Sequence, residues 1–94
     1  GESLYIFLSG ELDEYSAPAP RAQADALIDA NPSCNRVVLD LSGVRCMDST
    51  GIGFLIGRYK KLRKSSTPVY IQSPDFAADK VLSVSGIYSL IPKL

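Results

Sequence analysis

Three short apolar runs alternate along this chain with three segments whose apolar residues recur every three or four positions, and this alternation constrains the fold most. Leu4-Tyr5-Ile6-Phe7-Leu8, Val37-Val38-Leu39-Asp40-Leu41 and Val69-Tyr70-Ile71 read as strands. The second is nearly continuous in apolar residues, as for a strand covered on both faces. Ser9-Gly10 is expected to end the first strand, and Ser42-Gly43 to turn the chain after the second. Ala22, Ala26, Leu27 and Ala30, entered through Pro18 and Pro20, mark one helix, and Asn31-Pro32 ends it. Ile52, Leu55, Ile56, Tyr59 and Leu62 mark a second. Ser73-Pro74-Asp75 opens a third with Ser73 as its capping hydroxyl; Ala77, Ala78, Val81 and Leu82 face inward, and Gly86 ends it. Tyr88 to Ile91 reads as a last short strand. The alternation predicts an α/β fold: a mixed, largely parallel β-sheet covered by helices, with right-handed crossovers. A chain of 94 residues, 46% of them apolar, is enough for one domain over 1–94 and too short for two.

Composition removes several functions. Ten basic and ten acidic residues leave a formal net charge of zero, so there is no general pull toward nucleic acid or a membrane surface. No apolar run approaches the ~20 residues of a membrane-spanning helix, and no secretory signal is visible, which points to the cytoplasm. Histidine is absent, which excludes Ser-His-Asp and Cys-His catalysis and imidazole metal sites. No catalytic residues, metal ligands or cofactors are therefore expected. Cys34 and Cys46 lack metal-like spacing and read as free thiols. The cations Arg58, Lys60, Lys61, Arg63 and Lys64 read as a solvated helix end that offsets the helix dipole.

In largely parallel sheets, function collects in the loops at the carboxyl ends of strands. Two loops qualify: one after Leu8 that carries Asp13, and one after Leu41 that carries Asp48 and Ser49. If their strands are neighbours, the loops converge. Met47-Asp48-Ser49-Thr50-Gly51-Ile52-Gly53 feeds the second helix, where Asp48, Ser49 or Thr50 can cap the free N–H groups of the first turn. Gly51, Gly53 and Gly57 each cost that helix roughly 1 kcal/mol against alanine. Gly53 and Gly57, four apart, leave a bare strip where another backbone can approach. Phe54 beside it is expected to be an exposed apolar anchor. A hydroxyl at a helix N-terminus is also a place where an added phosphate is electrostatically tolerated.

The stretch Val37 through Lys64, with Leu39-Asp40-Leu41, Met47-Asp48-Ser49-Thr50-Gly51-Ile52-Gly53 and Gly57-Arg58-Tyr59-Lys60, resembles the STAS anti-sigma factor antagonists of sporulation and stress response. Ser9-Gly10-Glu11-Leu12-Asp13 and Val84-Ser85-Gly86-Ile87 extend the resemblance over nearly the whole chain. It implies that Ser49 is phosphorylated by a partner that is both anti-sigma factor and serine kinase of the GHKL type. The unphosphorylated protein would bind that kinase and free a sigma factor, and a metal-dependent serine phosphatase would reset it. Asp13, Asp48, Thr50, Gly51, Gly53, Phe54 and Gly57 would form the switch surface. Ser65-Ser66 stands where the family has a Gly-Gly-like turn, and a short N-terminal strand and a C-terminal helix of the family are expected to lie outside these residues. The alternative is a STAS scaffold that binds partners without phosphorylation, in a signalling or lipid-transport assembly.

Overall fold

The structure, a computed structural model, describes residues 2–12 and 18–94. These form β1 (Ser3–Glu11), α1 (Pro18–Ala30), β2 (Arg36–Cys46), α2 (Ser49–Arg63), β3 (Val69–Gln72) and α3 (Phe76–Ser85), followed by a short 3-10 turn over Ile87–Ser89. The strands form one parallel sheet in the order β1-β2-β3, with Ile6 opposite Leu39 and Leu39 opposite Ile71. Each crossover steps the same way across the sheet, so right-handed connections bring the helices to one face. The core lies there. Ile6, Leu8, Val37, Leu39, Leu41, Val69 and Ile71 meet Ala24 and Ile28 of α1, Phe54, Leu55 and Leu62 of α2, and Leu82 of α3.

The pleat sends Tyr5, Phe7, Val38, Asp40, Tyr70 and Gln72 to the opposite face. Val38 is fully buried there, between its register partners Tyr5 and Tyr70. The apolar continuity of β2 therefore reflects cover from neighbouring strands on this side. Phe7 is 72% exposed and stacks on Tyr5 with ring centroids 6.5 Å apart.

Several boundaries differ from the sequence reading, each for a local reason. β1 runs on through Ser9-Gly10, and β2 runs on through Ser42-Gly43 instead of turning. Between the pairs Phe7–Asp40 and Ser9–Gly43, β2 carries one extra residue, a bulge. The Asp40 carboxylate holds that bulge by accepting from the Ser42 N–H at 2.8 Å and the Ser42 hydroxyl at 2.6 Å. At Gly43 a Cβ would lie 3.0 Å from the Leu8 carbonyl oxygen, so a side chain there requires β1 to give by a few tenths of an ångström. In α1 the inward residues are Ala24 and Ile28, while Ala22, Ala26, Leu27 and Ala30 are exposed. An alanine-rich stripe specifies a face weakly, because each methyl contributes so little burial.

In α3 the cap is Asp75, whose carboxylate accepts from the Ala78 N–H at 2.7 Å, and not Ser73, which sits at φ +56°. Ala78 and Leu82 face inward; Ala77 and Val81 do not. Gly86 ends the helix at φ +80°, as expected. Tyr88–Ile91 is not a strand. The chain makes the 3-10 turn first, and only then does Lys93 bridge to Ile71, with Leu94 N–H donating to the Ile71 carbonyl at 2.8 Å. Asp79 clamps this terminus to α3, accepting from the Tyr88 hydroxyl at 2.6 Å and the Lys93 ammonium at 2.9 Å.

Asp40 gives the fold an acid-sensitive joint. Burial pushes its carboxyl up, but the hydrogen bonds from the Ser42 hydroxyl, the Gln72 amide and the Ser42 N–H together outweigh it, and the net shift is down. A folded-state pKa below the unfolded one adds stability above the unfolded value, and that stability is lost as pH falls through the folded value. Asp79 is lowered too, chiefly by the Tyr88 hydroxyl and then by Lys93, and acts in the same window. Stability is therefore expected to decline below about pH 4. Asp40→Asn should flatten part of that decline in urea midpoints measured from pH 7 to 2.5. An acid limb identical to that of the parent would exclude Asp40 as a contributor.

Candidate functional site

Because β1 and β2 are neighbours, their carboxyl ends deliver Leu12 and Met47-Asp48 to the same end of the sheet. The two exits touch at Gly51. A Cβ there would meet Met47 Sδ at 2.5 Å and the Leu12 carbonyl oxygen at 3.3 Å, so the first turn of α2 is pressed against the end of β1. Gly51, expected on the switch surface, is thus buried, and its missing side chain serves internal packing. Asp13, the next residue after Leu12, lies outside the described residues.

Asp48 is the cap of α2. Its backbone is extended (φ −133°, ψ −166°), and Oδ1 accepts from the Thr50 N–H at 2.9 Å and the Gly51 N–H at 3.1 Å. That division of labour matters. With Asp48 supplying the cap, the Ser49 hydroxyl is not needed for it. Ser49 is exposed at the first helical position, and its hydroxyl has no hydrogen-bond partner among the described residues. Thr50 behind it is half-buried.

Further along α2, Gly53 is exposed and Gly57 half-buried, and a Cβ at either would meet nothing within 4 Å. The strip they share is open. Phe54 is not beside it as an exposed anchor: it is 0% exposed, among the largest fully buried side chains of the core. The inward arc of α2 runs through Gly51, Phe54, Leu55, Arg58 and Leu62, rotated from the predicted stripe, and leaves Ile52, Ile56 and Tyr59 half-buried at its edge.

Arg58 explains why the periodicity misled. A cation in the middle of the inward arc looks like a surface position, yet Arg58 is buried, its guanidinium 5.0 Å from the Phe54 ring centre. Its Nε lies 2.8 Å from Asp25 Oδ1 of α1, an ion pair between the two helices. The pair is close but poorly aligned, and Arg58 Nε and Nη1 have no directed hydrogen bond among the described residues. Burial lowers the guanidinium's pKa and Asp25 opposes that shift; an arginine stays charged regardless.

One group the sequence reading missed stands next to Ser49. Lys80, Val81, Val84 and Ser85 of α3 line, with Ser49 and Ile52, an open groove of about 540 Å³. The signal was available: α3 carries apolar residues on two faces, with Phe76 87% and Val84 83% exposed on the outer one. Which neighbour that outer face accompanies depends on how α3 packs.

The result is an α/β domain with a parallel sheet, helices on one face, and an exposed hydroxyl beside the Asp48 cap at the opening of its second helix. The chain belongs to the STAS domain family, whose profile matches residues 1–94. It is 32% identical over 89 residues to the anti-sigma F factor antagonist of Paenibacillus polymyxa, covering 95% of this chain and 75% of that protein. The solved anti-sigma factor antagonist SpoIIAA in its unphosphorylated form superposes with a TM-score of 0.78 at 25% identity, over 99% of this chain and 80% of that one. The Bacillus cell-fate determinant SpoIIAA in its phosphorylated form superposes at 0.69, also at 25% identity, over 99% and 83%. Among the described residues, no helix is long and apolar enough to cross a membrane.

Proposed function

We propose that this chain is a cytoplasmic anti-sigma factor antagonist, a binding protein and not an enzyme, switched by phosphorylation of Ser49. In the unphosphorylated state it binds an anti-sigma factor serine kinase of the GHKL type and releases a sigma factor. Phosphate on Ser49 ends that binding, and a metal-dependent serine phosphatase restores it. One observation carries the reading: the Asp48 carboxylate caps α2, so the Ser49 hydroxyl stands exposed and unengaged at the helix opening. The named relatives and the two solved states of SpoIIAA support the same assignment. Thr50, half-buried behind Ser49, is the poorer acceptor.

Incubation with the serine kinase from the same genome and ATP, followed by mass spectrometry of the peptides, tests it. Phosphate should map to Ser49 and vanish in Ser49→Ala. Phosphate elsewhere, or none while the kinase still binds, would replace the switch with a constitutive scaffold.

The open strip on α2 belongs to the proposed binding face. Gly53→Leu should lower kinase affinity at least tenfold by filling that strip. It should leave the melting temperature unchanged or slightly raised, since an exposed helical glycine forgoes about 1 kcal/mol and a Cβ at Gly53 meets nothing. Paired titration calorimetry and thermal melts read both effects. A large fall in melting temperature with intact binding would assign Gly53 to internal packing.

A further inference from the structure

α2 carries two apolar faces, and burial alone favours the one that the protein does not use. Ile52, Leu55, Ile56, Tyr59 and Leu62 form an unbroken apolar stripe. The face turned inward is instead Gly51, Phe54, Leu55, Arg58 and Leu62, with a glycine and a cation in it. At roughly 100° per residue, the two faces lie about 80° apart around the helix axis. That angle decides which hydroxyl meets solvent. In the observed frame Ser49 stands about 160° from the centre of the inward face and Thr50 about 100°, in keeping with an exposed Ser49 and a half-buried Thr50. With the apolar stripe inward, Ser49 would stand at about 85° and Thr50 at about 175°. The two would exchange places.

The observed frame requires Arg58 to be buried, and the group that makes this tolerable is on α1. Asp25 Oδ1 lies 2.8 Å from Arg58 Nε, its one ion-pair partner among the described residues. Arg21, also on α1, acts on Arg58 as a like charge. Arg58 Nε and Nη1 lack a directed hydrogen bond, so Asp25 and the Phe54 ring compensate this guanidinium between them. A buried pair is often no more stabilising than apolar residues of similar volume, and its best-attested use is to fix a register. Lys61–Asp29, the other pair between these helices, is exposed and contributes little. Gly51 permits the first turn to approach Leu12 closely, but a missing side chain does not compel that approach.

Resting on the Ser49 switch above, we propose that Asp25 is a positioning residue that determines which hydroxyl is phosphorylated. By admitting Arg58 to the inward face it fixes the azimuth of α2, and so presents Ser49, and not Thr50, to the kinase. Asp25 acts through Arg58, which lies more than two turns along α2 from Ser49. Without that carboxylate an uncompensated buried cation must reach water. A rotation of about 80° carries Arg58 to the flank of the helix. It also brings Ile52, Ile56 and Tyr59, already half-buried, the rest of the way in. The apolar stripe then supplies the burial, and Thr50 turns outward.

The test removes Asp25 and reads the site of modification, which a loss of stability alone would not move. With the serine kinase from the same genome and ATP, Asp25→Ala should raise the share of phosphate on Thr50 roughly tenfold, the scale of one coupled pair. Adding Arg58→Met should restore Ser49, because no charge is left to expel and methionine fits against the Phe54 ring. Asp29→Ala, which breaks the exposed pair, should change nothing. A second measurement needs no kinase: alkylation rates of Ser49→Cys and Thr50→Cys, read by peptide mass spectrometry, with and without Asp25. Position 49 should react faster in the parent and position 50 in Asp25→Ala; Asp25→Asn carries the same expectation if the alanine variant unfolds. Unchanged phosphate sites and an unchanged alkylation order would overturn the proposal and leave the Ser49 switch standing. A Thr50 share that stays raised after Arg58→Met is added would overturn it as well. A reversed alkylation order, with Ser49 never phosphorylated in the parent chain, would support the positioning role of Asp25 and sink the switch.

Discussion

Phe54→Ala is expected to destabilise the fold by about 3–5 kcal/mol, the usual cost of emptying a buried aromatic site. A domain of this size has roughly 5–15 kcal/mol in total. At about 4–8 °C per kcal/mol for a small domain, the melting temperature should fall by more than ~12 °C. The ring is fully buried, and the loss extends past its own contacts. Arg58 lies 5.0 Å from the ring centre and is itself buried, so removing the ring leaves a guanidinium beside a cavity, paired with Asp25. Phe54→Leu keeps most of the volume and should cost about 1–1.5 kcal/mol. Thermal and urea melts of the two variants beside Gly53→Leu make a direct comparison on adjacent residues. The core variant should collapse stability and the strip variant should not. A melting temperature for Phe54→Ala within 3 °C of the parent, with kinase binding lost, would return Phe54 to the recognition surface.

Phosphorylation of Ser49 is expected to lower kinase affinity about a thousandfold while the domain stays folded. The local electrostatics nearly cancel. A helix N-terminus favours an anion by about 0.3–1 kcal/mol, and the Asp48 carboxylate next to it opposes one by about 1 kcal/mol at ~4 Å in water-like surroundings. The fold therefore has little reason to respond. The interface does. A phosphoserine carries roughly −1.5 to −2 charges; Lys80, the cation lining the same groove, offsets only part of it, and enclosing the remainder costs several kcal/mol. At about 1.4 kcal/mol per decade, some 4 kcal/mol is a factor of a thousand. Calorimetric titration of kinase with phosphorylated and unphosphorylated chain measures the ratio, and melts of both forms measure the fold. An affinity change below threefold, or a melting temperature that drops by more than ~10 °C, would remove direct charge exclusion as the mechanism.

These two expectations concern residues five positions apart on one helix, and they differ in how they could be found. Ser49 was legible from local chemistry. A strand, a short loop, an acid and a hydroxyl ahead of a helical period place that side chain at a helix opening, whatever the helix packs against. Phe54 and Arg58 were not. Periodicity reports that a helix has an apolar side, but its azimuth is set by what lies opposite, and Arg58 in mid-stripe is explained only by Asp25 on α1. Gly51 has the same character: a glycine's lost stability is visible in sequence, whereas the Met47 sulfur and the Leu12 carbonyl that crowd its Cβ position are brought there by the ends of β2 and β1. Asp75 displaced Ser73 as the cap of α3 because the chain bends at Ser73 with positive φ before the helix can begin.

The amino-acid order by itself thus determined the alternation of strands and helices, the parallel α/β class, and the hydroxyl at the start of α2, because each depends on spacing within one segment. Only the tertiary structure decided which side of α2 faces the core, that β2 continues with a bulge through Ser42-Gly43, and that the outer face of α3 stands beside Ser49. Those outcomes depend on pairs of residues tens of positions apart, and close packing settles them only when every neighbour is in place.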